Sequence, residues 1–123
     1  MDVLVNDAAR FEVLEPGEVI RGRLRGELDM SNAQDVGDSI AAAVPNDAAG
    51  LVLDLTELAF IDSAGIRTLL SLVGRFAWHG QTLTFVAAPG SPVRRVIELA
   101  GAGDAFALEG SGDGSPAGPD APG

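Results

Sequence analysis

Short apolar runs along the chain have the length and composition of β-strands. Phe11–Leu14 and Val19–Gly26 lie on either side of the turn signal Pro16-Gly17, so together they predict a hairpin. Leu51–Leu55 is a compact apolar run of the kind found in buried strands, and Thr82–Ala87 is rich in strand-forming residues. The pattern therefore predicts an initial hairpin followed by two further strands.

Three other segments carry apolar residues at helical spacing. The first begins at Ser31 and Gln34, which have the spacing of a capping box, and ends at Pro45. The second ends at Gly80, and the third begins at Ser91-Pro92, an N-cap followed by proline at the first helical position. The predicted inner faces are Ala33, Val36, Ile40, Ala43 and Val44; then Ile66, Leu69, Leu70, Val73 and Ala77; then Val93, Val96, Ile97 and Ala100.

Strands that alternate with helices after a hairpin predict one α/β domain with a mixed, mostly parallel sheet and helices packed on it. Its 123 residues are a single-domain length. We expect a loose N-terminus over residues 1–10, the domain over residues 11–108, and a short last strand at Ala105–Leu108. Residues 109–123 contain no Val, Ile, Leu, Phe or Trp, so we expect a disordered tail.

The charge balance narrows the class of partner. The chain has 18 acidic and 8 basic residues, all arginine, and a net charge of −10. Such a surface argues against nucleic acid and anionic membranes and favours a protein partner with basic groups. Arg21, Arg23 and Arg25 alternate along the second strand, which predicts a solvated or acid-covered sheet face. With no cysteine, no signal peptide and no apolar run near eighteen residues, the expected compartment is the cytoplasm.

The candidate functional residues lie in Ile61–Gly65, which connects the predicted strand at Leu51–Leu55 to the second helix. Ser63 would lie beyond the carboxyl end of a parallel strand, where open α/β sheets carry their sites. It would also lie at the first helical turn, where backbone N–H groups have no partner and favour an anion. Either Asp62 or Ser63 could simply cap the helix. Small neighbours, Ala64 and Gly65, would leave the hydroxyl open to an incoming protein, so the residues alone leave both interpretations open.

Several enzyme classes do not fit the sequence. A serine hydrolase has glycine two residues before its nucleophile, where this chain has Ile61, and it requires a histidine. The only histidine, His79, would lie about 24 Å from Ser63 along one helix. A nucleotide-binding phosphate loop requires lysine, which is absent, and the scattered carboxylates form no metal cluster. Asp54 is best explained as the polar end of a buried strand. We therefore predict a protein that is not an enzyme and uses no metal or cofactor.

Three motifs, in this order and spacing, are similar to one family. They are Gly26-Glu27-Leu28-Asp29, then Leu53-Asp54-Leu55 followed by Phe60-Ile61-Asp62-Ser63-Ala64-Gly65-Ile66, then Pro92–Gly101. Together they resemble the STAS family, specifically the bacterial anti-sigma factor antagonists. The resemblance covers residues 11–108 and implies a STAS-like single domain.

The resemblance also implies a mechanism. In such antagonists the serine of the Asp-Ser turn is phosphorylated by an anti-sigma factor that is itself a serine kinase. The unphosphorylated form binds that partner and releases the sigma factor, phosphorylation ends binding, and a phosphatase restores it. By motif position Ser63 is the phosphate acceptor. The implied partner-binding residues are Asp29, Asp62, Ser63, Ala64, Gly65 and Arg67.

The family also contains modules that are never phosphorylated. An interaction scaffold in a stress-signalling complex, or an accessory subunit of lipid transport, therefore stays open as the alternative function. Many members carry a second serine where this chain has Ala64, so a shifted phosphorylation site is not expected. We expect a monomer or a weak dimer.

Overall fold

The structure is a computed structural model that describes residues 2–4 and 8–105. Its strands are β1 (Asp2–Leu4), β2 (Ala9–Glu15), β3 (Val19–Leu28), β4 (Gly50–Asp54), β5 (Leu58–Ile61) and β6 (Thr82–Val86). Its helices are α1 (Ala33–Ala43), α2 (Ser63–Trp78) and α3 (Pro92–Ile97). A π-helical turn over Glu98–Ala102 and a 3-10 turn over Gly103–Ala105 follow α3.

The six strands form one mixed sheet in the order β1-β2-β3-β4-β6, with β5 paired to β3. The strand pairs β1–β2 and β2–β3 are antiparallel, whereas β3–β4, β3–β5 and β4–β6 are parallel. This arrangement confirms the predicted α/β domain with a mostly parallel sheet behind a hairpin.

Strand β3 is long enough to have two neighbours on one side. Its residues 19–23 pair with β4, and its residues 26–28 pair with β5 after a bulge between Gly26 and Glu27. Gly26 has φ +94°, and a Cβ there would overlap the carbonyl oxygen of Ala8. The pairing brings Leu28 beside Ile61, so β3 and β5 end together at one edge of the sheet. The sequence pattern had not predicted β5.

The helices cover one face of the sheet, and the opposite face carries charged side chains. The inward residues of β3 are Ile20, Leu24 and Leu28, which join the buried residues Phe11, Val36, Ile40, Leu53, Leu69, Phe85 and Ile97. On the other face, Arg23 Nε lies 3.2 Å from Glu12 Oε1, and Arg25 Nε lies 3.1 Å from Glu57 Oε1. The alternating arginines therefore face acidic neighbours, as predicted.

The start of α1 differs from the prediction. The N-cap is Asn32, and no side chain caps the helix. The predicted capping box of Ser31 and Gln34 is wrong because the Ser31 hydroxyl donates to the carboxylate of Asp29 instead, 2.6 Å away. The competing carboxylate lies two residues earlier and forms a tighter local turn.

The buried face of α2 is rotated from the predicted stripe. The buried residues are Gly65, Leu69, Leu72 and Phe76. Leu70 and Val73 are half-buried, and Ala77 is exposed, so the predicted place of Ala77 in the core is wrong. In α3, Val93 and Ile97 are buried as predicted, whereas Ala100 is exposed because the helix gives way to the turn containing Gly101.

The two ends of the chain differ in what the structure describes. Within residues 1–10, where a loose segment was expected, Asp2–Leu4 forms β1 and pairs with Arg10–Glu12. Ala105 closes a 3-10 turn rather than opening a strand. The remainder of the expected last strand, residues 106–108, and the expected disordered tail, residues 109–123, lie outside the described residues. The domain boundaries at 11 and 108 stay a prediction.

Candidate functional site

The candidate site lies where β3 and β5 end and α2 begins. The backbone N–H of Asp62 donates to the carbonyl of Leu28, 3.1 Å away, which ties the two strand ends together. Ser63 therefore follows the carboxyl end of a parallel strand, as the sequence predicted. That strand is β5 rather than the earlier run Leu51–Leu55.

Asp62 is the N-cap of α2 and also holds the neighbouring loop. One carboxylate oxygen, Oδ1, accepts from the backbone N–H of Gly65 at 2.9 Å. The other, Oδ2, accepts from the backbone N–H of Met30 at 3.1 Å. Both oxygens are thus occupied by backbone donors. Of the two residues that could have capped the helix, Asp62 does so.

Because Asp62 serves as the cap, the Ser63 hydroxyl has no structural task. Ser63 is the first residue of α2 and is exposed. Within residues 2–4 and 8–105, its hydroxyl makes no hydrogen bond. It therefore stands open to solvent at the end of the helix where the dipole favours negative charge.

The loop between β3 and α1 is held by its own side chains. Asp29 Oδ1 accepts from both the N–H and the hydroxyl of Ser31, at 2.9 and 2.6 Å. These hydrogen bonds lower the pKa of Asp29 from its ordinary value. The buried Asn32 side chain accepts from the N–H of Asp29 at 3.0 Å and donates to the carbonyl of Glu27 at 2.9 Å. Asp29 thus lies in a loop whose shape is fixed, directly before Met30, which donates to Asp62.

Asn32 holds the loop beside Ser63 and was not among the residues predicted for the site. Its side chain is 1% exposed, the one buried polar side chain among the described residues. The available signal was an asparagine directly before an apolar helical stripe, which favours local hydrogen bonds to the backbone.

Gly65 supports the site from beneath. A Cβ at this position would lie 2.8 Å from Ile61 Cγ1 and 2.9 Å from the carbonyl oxygen of Leu28. The missing side chain lets the first turn of α2 approach the strand ends closely. Gly65 is buried, and its predicted place in a partner-binding surface stays a prediction.

The exposed side chains around Ser63 include an apolar residue and an arginine. Met30 is 83% exposed in the loop that Asp62 holds. Arg67 is exposed one turn along α2 and lines a groove of about 340 Å³ between α1 and α2, with Asp38, Thr68 and Arg75 among the other lining residues. Ala64 is half-buried beside them.

Residues that could have supported enzyme chemistry do not meet. His79 is the C-cap of α2, at the opposite end from Ser63. Asp54 accepts from the N–H and hydroxyl of Thr56 at 2.7 and 2.6 Å, as expected for the polar end of a strand. Across residues 2–4 and 8–105, no three His, Asp or Glu side chains lie where they could hold a metal ion. None of the described helices has both the length and the apolar character needed to span a bilayer.

The model of one protein family, described as "Mlab, STAS domain", matches residues 12–109. The chain belongs to the STAS domain family. This membership confirms the family resemblance drawn from the three motifs, and the fold is that of STAS proteins.

A named relative of this STAS domain is the anti-sigma-F factor antagonist RsfB of Mycobacterium tuberculosis. It is 33% identical over 84 residues, which cover 68% of this chain and 66% of the relative. The match thus spans slightly less than two thirds of the relative's length. Its name describes an antagonist rather than a catalyst, which agrees with the prediction that the chain is not an enzyme.

Solved structures give the same fold. An anti-sigma factor antagonist from Mycobacterium paratuberculosis matches with a TM-score of 0.69 and 28% identity, covering 81% of this chain and 84% of that one. Unphosphorylated SpoIIAA, an anti-sigma factor antagonist, matches with a TM-score of 0.62 and 23% identity, covering 78% and 84%. At that identity the second likeness supports the fold alone.

Proposed function

We propose that this STAS domain is an anti-sigma factor antagonist whose binding is switched off by phosphorylation of Ser63. The observation that carries the proposal is the exposed Ser63 hydroxyl, which is free of hydrogen bonds to the described residues because Asp62 caps α2. The likeness to RsfB and to the antagonist from Mycobacterium paratuberculosis supports the class of function. Binding to the anti-sigma factor and release of the sigma factor take place in the cytoplasm, where sigma factors direct transcription.

The partner-binding surface consists of Ser63 and the side chains beside it. Asp29, Asp62 and Ala64 form its fixed part, because hydrogen bonds or packing hold each of them in place. Arg67 contributes a positive charge, and Met30 offers an exposed, adaptable apolar side chain of the kind enriched at interfaces. The partner is an anti-sigma factor with serine kinase activity.

The switch is a phosphoryl transfer followed by hydrolysis. The Ser63 oxygen attacks the terminal phosphorus of a nucleoside triphosphate held by the kinase, forming an O–P bond while the nucleoside diphosphate leaves. The hydroxyl proton passes to a base of the kinase. A phosphatase later adds water across the O–P bond and returns the free hydroxyl and inorganic phosphate.

The phosphate acts on the interface rather than on the fold. It adds about −1.5 to −2 charges and three acceptor oxygens. Inside the domain, the helix N-terminus favours the anion by about 0.3–1 kcal/mol, and Coulomb repulsion from neighbouring Asp62 opposes it by a similar order. A dianion closed into an interface without matched donors costs several kcal/mol. A loss of about 3–5 kcal/mol corresponds to roughly a hundred- to several-thousand-fold in affinity.

The test begins with capture of the anti-sigma kinase from the source cell on immobilised protein. Calorimetric titration then compares the unphosphorylated protein, the phosphorylated protein, Ser63→Ala and Ser63→Asp. We expect Ser63→Ala to bind like the unphosphorylated protein and the phosphorylated form to bind at least about a hundredfold more weakly. Ser63→Asp should lie between them because it carries a single charge.

Ser71→Asp is the matched control, since Ser71 is exposed on the same helix two turns further on. It adds the same charge away from the proposed acceptor and should weaken binding less than Ser63→Asp. If Ser63→Asp binds as tightly as Ser63→Ala, and the kinase places no phosphate on Ser63, the switch is wrong. An unswitched STAS interaction scaffold then becomes the better explanation.

A further inference from the structure

The outer side of α2 carries an arginine without an ion-pair partner, one helical turn after Ser63. Arg67 is exposed and makes no ion pair with any residue in the described ranges. By contrast, Arg21, Arg23, Arg25 and Arg94 each face a glutamate within 4.0 Å. Arg75 and Arg95 also make no ion pair within the described ranges, so what distinguishes Arg67 is its position relative to Ser63.

The spacing of Ser63 and Arg67 suits an ion pair that forms only when Ser63 is charged. Residues four apart on a helix are surface neighbours, with Cβ atoms about 6 Å apart. Side chains lean toward the helix N-terminus, so Arg67 reaches back over the turn that contains Ser63. An anion placed N-terminal to a cation at this spacing is the favourable order.

Other charges near Ser63 do not provide this contact. The carboxylates of Asp62 and Asp29 accept hydrogen bonds from backbone N–H groups and would repel a phosphate. Asp38 of α1 lines the same groove as Arg67 without forming an ion pair with it. Arg75 lies twelve residues after Ser63 on the same helix, or about 18 Å along its axis, and cannot reach it.

We propose that Arg67 binds the phosphate on Ser63 within the free phosphorylated protein. This inference rests on the proposed function for its phosphate but adds a residue to the switch. The planar guanidinium fork matches two phosphate oxygens. Phosphorylation would then change the partner-binding surface twice, by adding an anion and by withdrawing the positive charge of Arg67 from the partner.

The test uses the full chain with phosphoserine installed at position 63 during translation, so neither kinase nor partner is required. Phosphorus NMR follows the titration of the phosphate near its ordinary second pKa of about 6. We expect Arg67→Gln to raise that pKa by roughly half a unit, because the pair favours the dianion. Arg75→Gln removes the same charge from the same helix and should shift it by less than about 0.1 unit at 0.15 M salt.

Equal shifts in the two variants, or no shift in either, would overturn the assignment of Arg67. Circular dichroism of each unphosphorylated variant shows that the fold is intact before the comparison. The two proposals fail separately. If Arg67 does not bind the phosphate, Ser63 can still be the residue that the kinase phosphorylates. If the kinase does not phosphorylate Ser63, a phosphate installed there can still form an ion pair with Arg67.

Discussion

Ser63 and Ser91 both lie at the start of a helix, but only the Ser91 hydroxyl caps its helix. Ser91 is the N-cap of α3, and its hydroxyl accepts from the N–H of Arg94 at 3.3 Å, with Pro92 as the first helical residue. Ser63 lies one place later relative to its helix, because Asp62 takes the cap position of α2. The serine hydroxyl therefore caps one helix, whereas at the start of the other it is exposed and caps nothing.

A carboxylate cap can leave a neighbouring hydroxyl without a hydrogen bond, as Asp62 does for Ser63 among the described residues. Ser31 shows the alternative outcome, since its hydroxyl donates to Asp29 and helps to shape the loop. The three serines differ in whether their hydroxyl makes a hydrogen bond. The Ser91 hydroxyl accepts one from the helix backbone, and the Ser31 hydroxyl donates one to Asp29. At α2 the backbone N–H donates to Asp62 instead of to Ser63. A cap supplied by Asp62 satisfies the helix end and leaves Ser63 without a structural role.

The largest expected loss of stability comes from the buried face of α2. It tests whether this face, rather than the contacts at the start of the helix, holds α2 on the sheet. Leu69 is fully buried, so Leu69→Ala should cost about 2–5 kcal/mol of unfolding free energy. Leu70 is half-buried, so Leu70→Ala should lower the unfolding free energy by about half as much or less. Urea titration of both variants measures the difference. Equal losses would contradict the rotation of α2 described above.

The next effect concerns the close approach beneath Ser63. Gly65→Ala places a methyl group against Ile61 and the backbone of Leu28 and should destabilise the protein by about 1–3 kcal/mol. Gly74→Ala in the same helix meets nothing within 4 Å and should stabilise it by about 0.5–1 kcal/mol. Thermal unfolding of the pair gives the signs. Two losses of similar size would show that α2 begins in a different place.

The caps themselves provide the direct comparison. Asp62→Ala should cost about 1–2 kcal/mol, because it removes the helix cap and the bond to Met30. Ser91→Ala should cost about 1 kcal/mol, and Ser63→Ala less than about 0.5. Denaturant titration of the three variants ranks them. A Ser63→Ala loss as large as that of Ser91→Ala would mean that Ser63 is a cap after all.

The smallest expected effect is a pH dependence from Asp29. Its pKa is lower in the folded protein than in the unfolded chain, so the stabilisation it provides is present above the unfolded value of about 3.9. That stabilisation is lost as the pH falls through the lower folded pKa. Asp29→Asn should flatten this part of the stability profile between about pH 5 and 2, measured by thermal unfolding. An unchanged profile would contradict the role of the Ser31 hydrogen bonds.

Most of the fold could be predicted from local patterns. Local signals mark the hairpin, the runs that became β4 and β6, the end of α2 and the start of α3. Examples are Pro16-Gly17 and Ser91-Pro92. The same holds for Ser63, whose place at a strand-to-helix turn follows from the order of the elements. These features depend on neighbours in the sequence.

What escaped prediction depends on contacts distant in sequence. The burial pattern of β5 has no strand alternation, since Ala59 and Phe60 are both exposed, and the strand exists because β3 continues past its bulge to pair with it. Phe76 was absent from the predicted stripe because rotation of α2 is fixed by its contacts with the sheet. The capping box failed because Asp29 competes for the Ser31 hydroxyl.

The length of β3 has a consequence for exchange of backbone hydrogens with solvent. Its amides are bonded to β2 on one side and to β4 and then β5 on the other. They should therefore exchange by global opening and be among the last to acquire deuterium. The loop at Met30 directly follows that slow-exchanging strand. Its backbone should therefore have the same conformation before and after a partner binds.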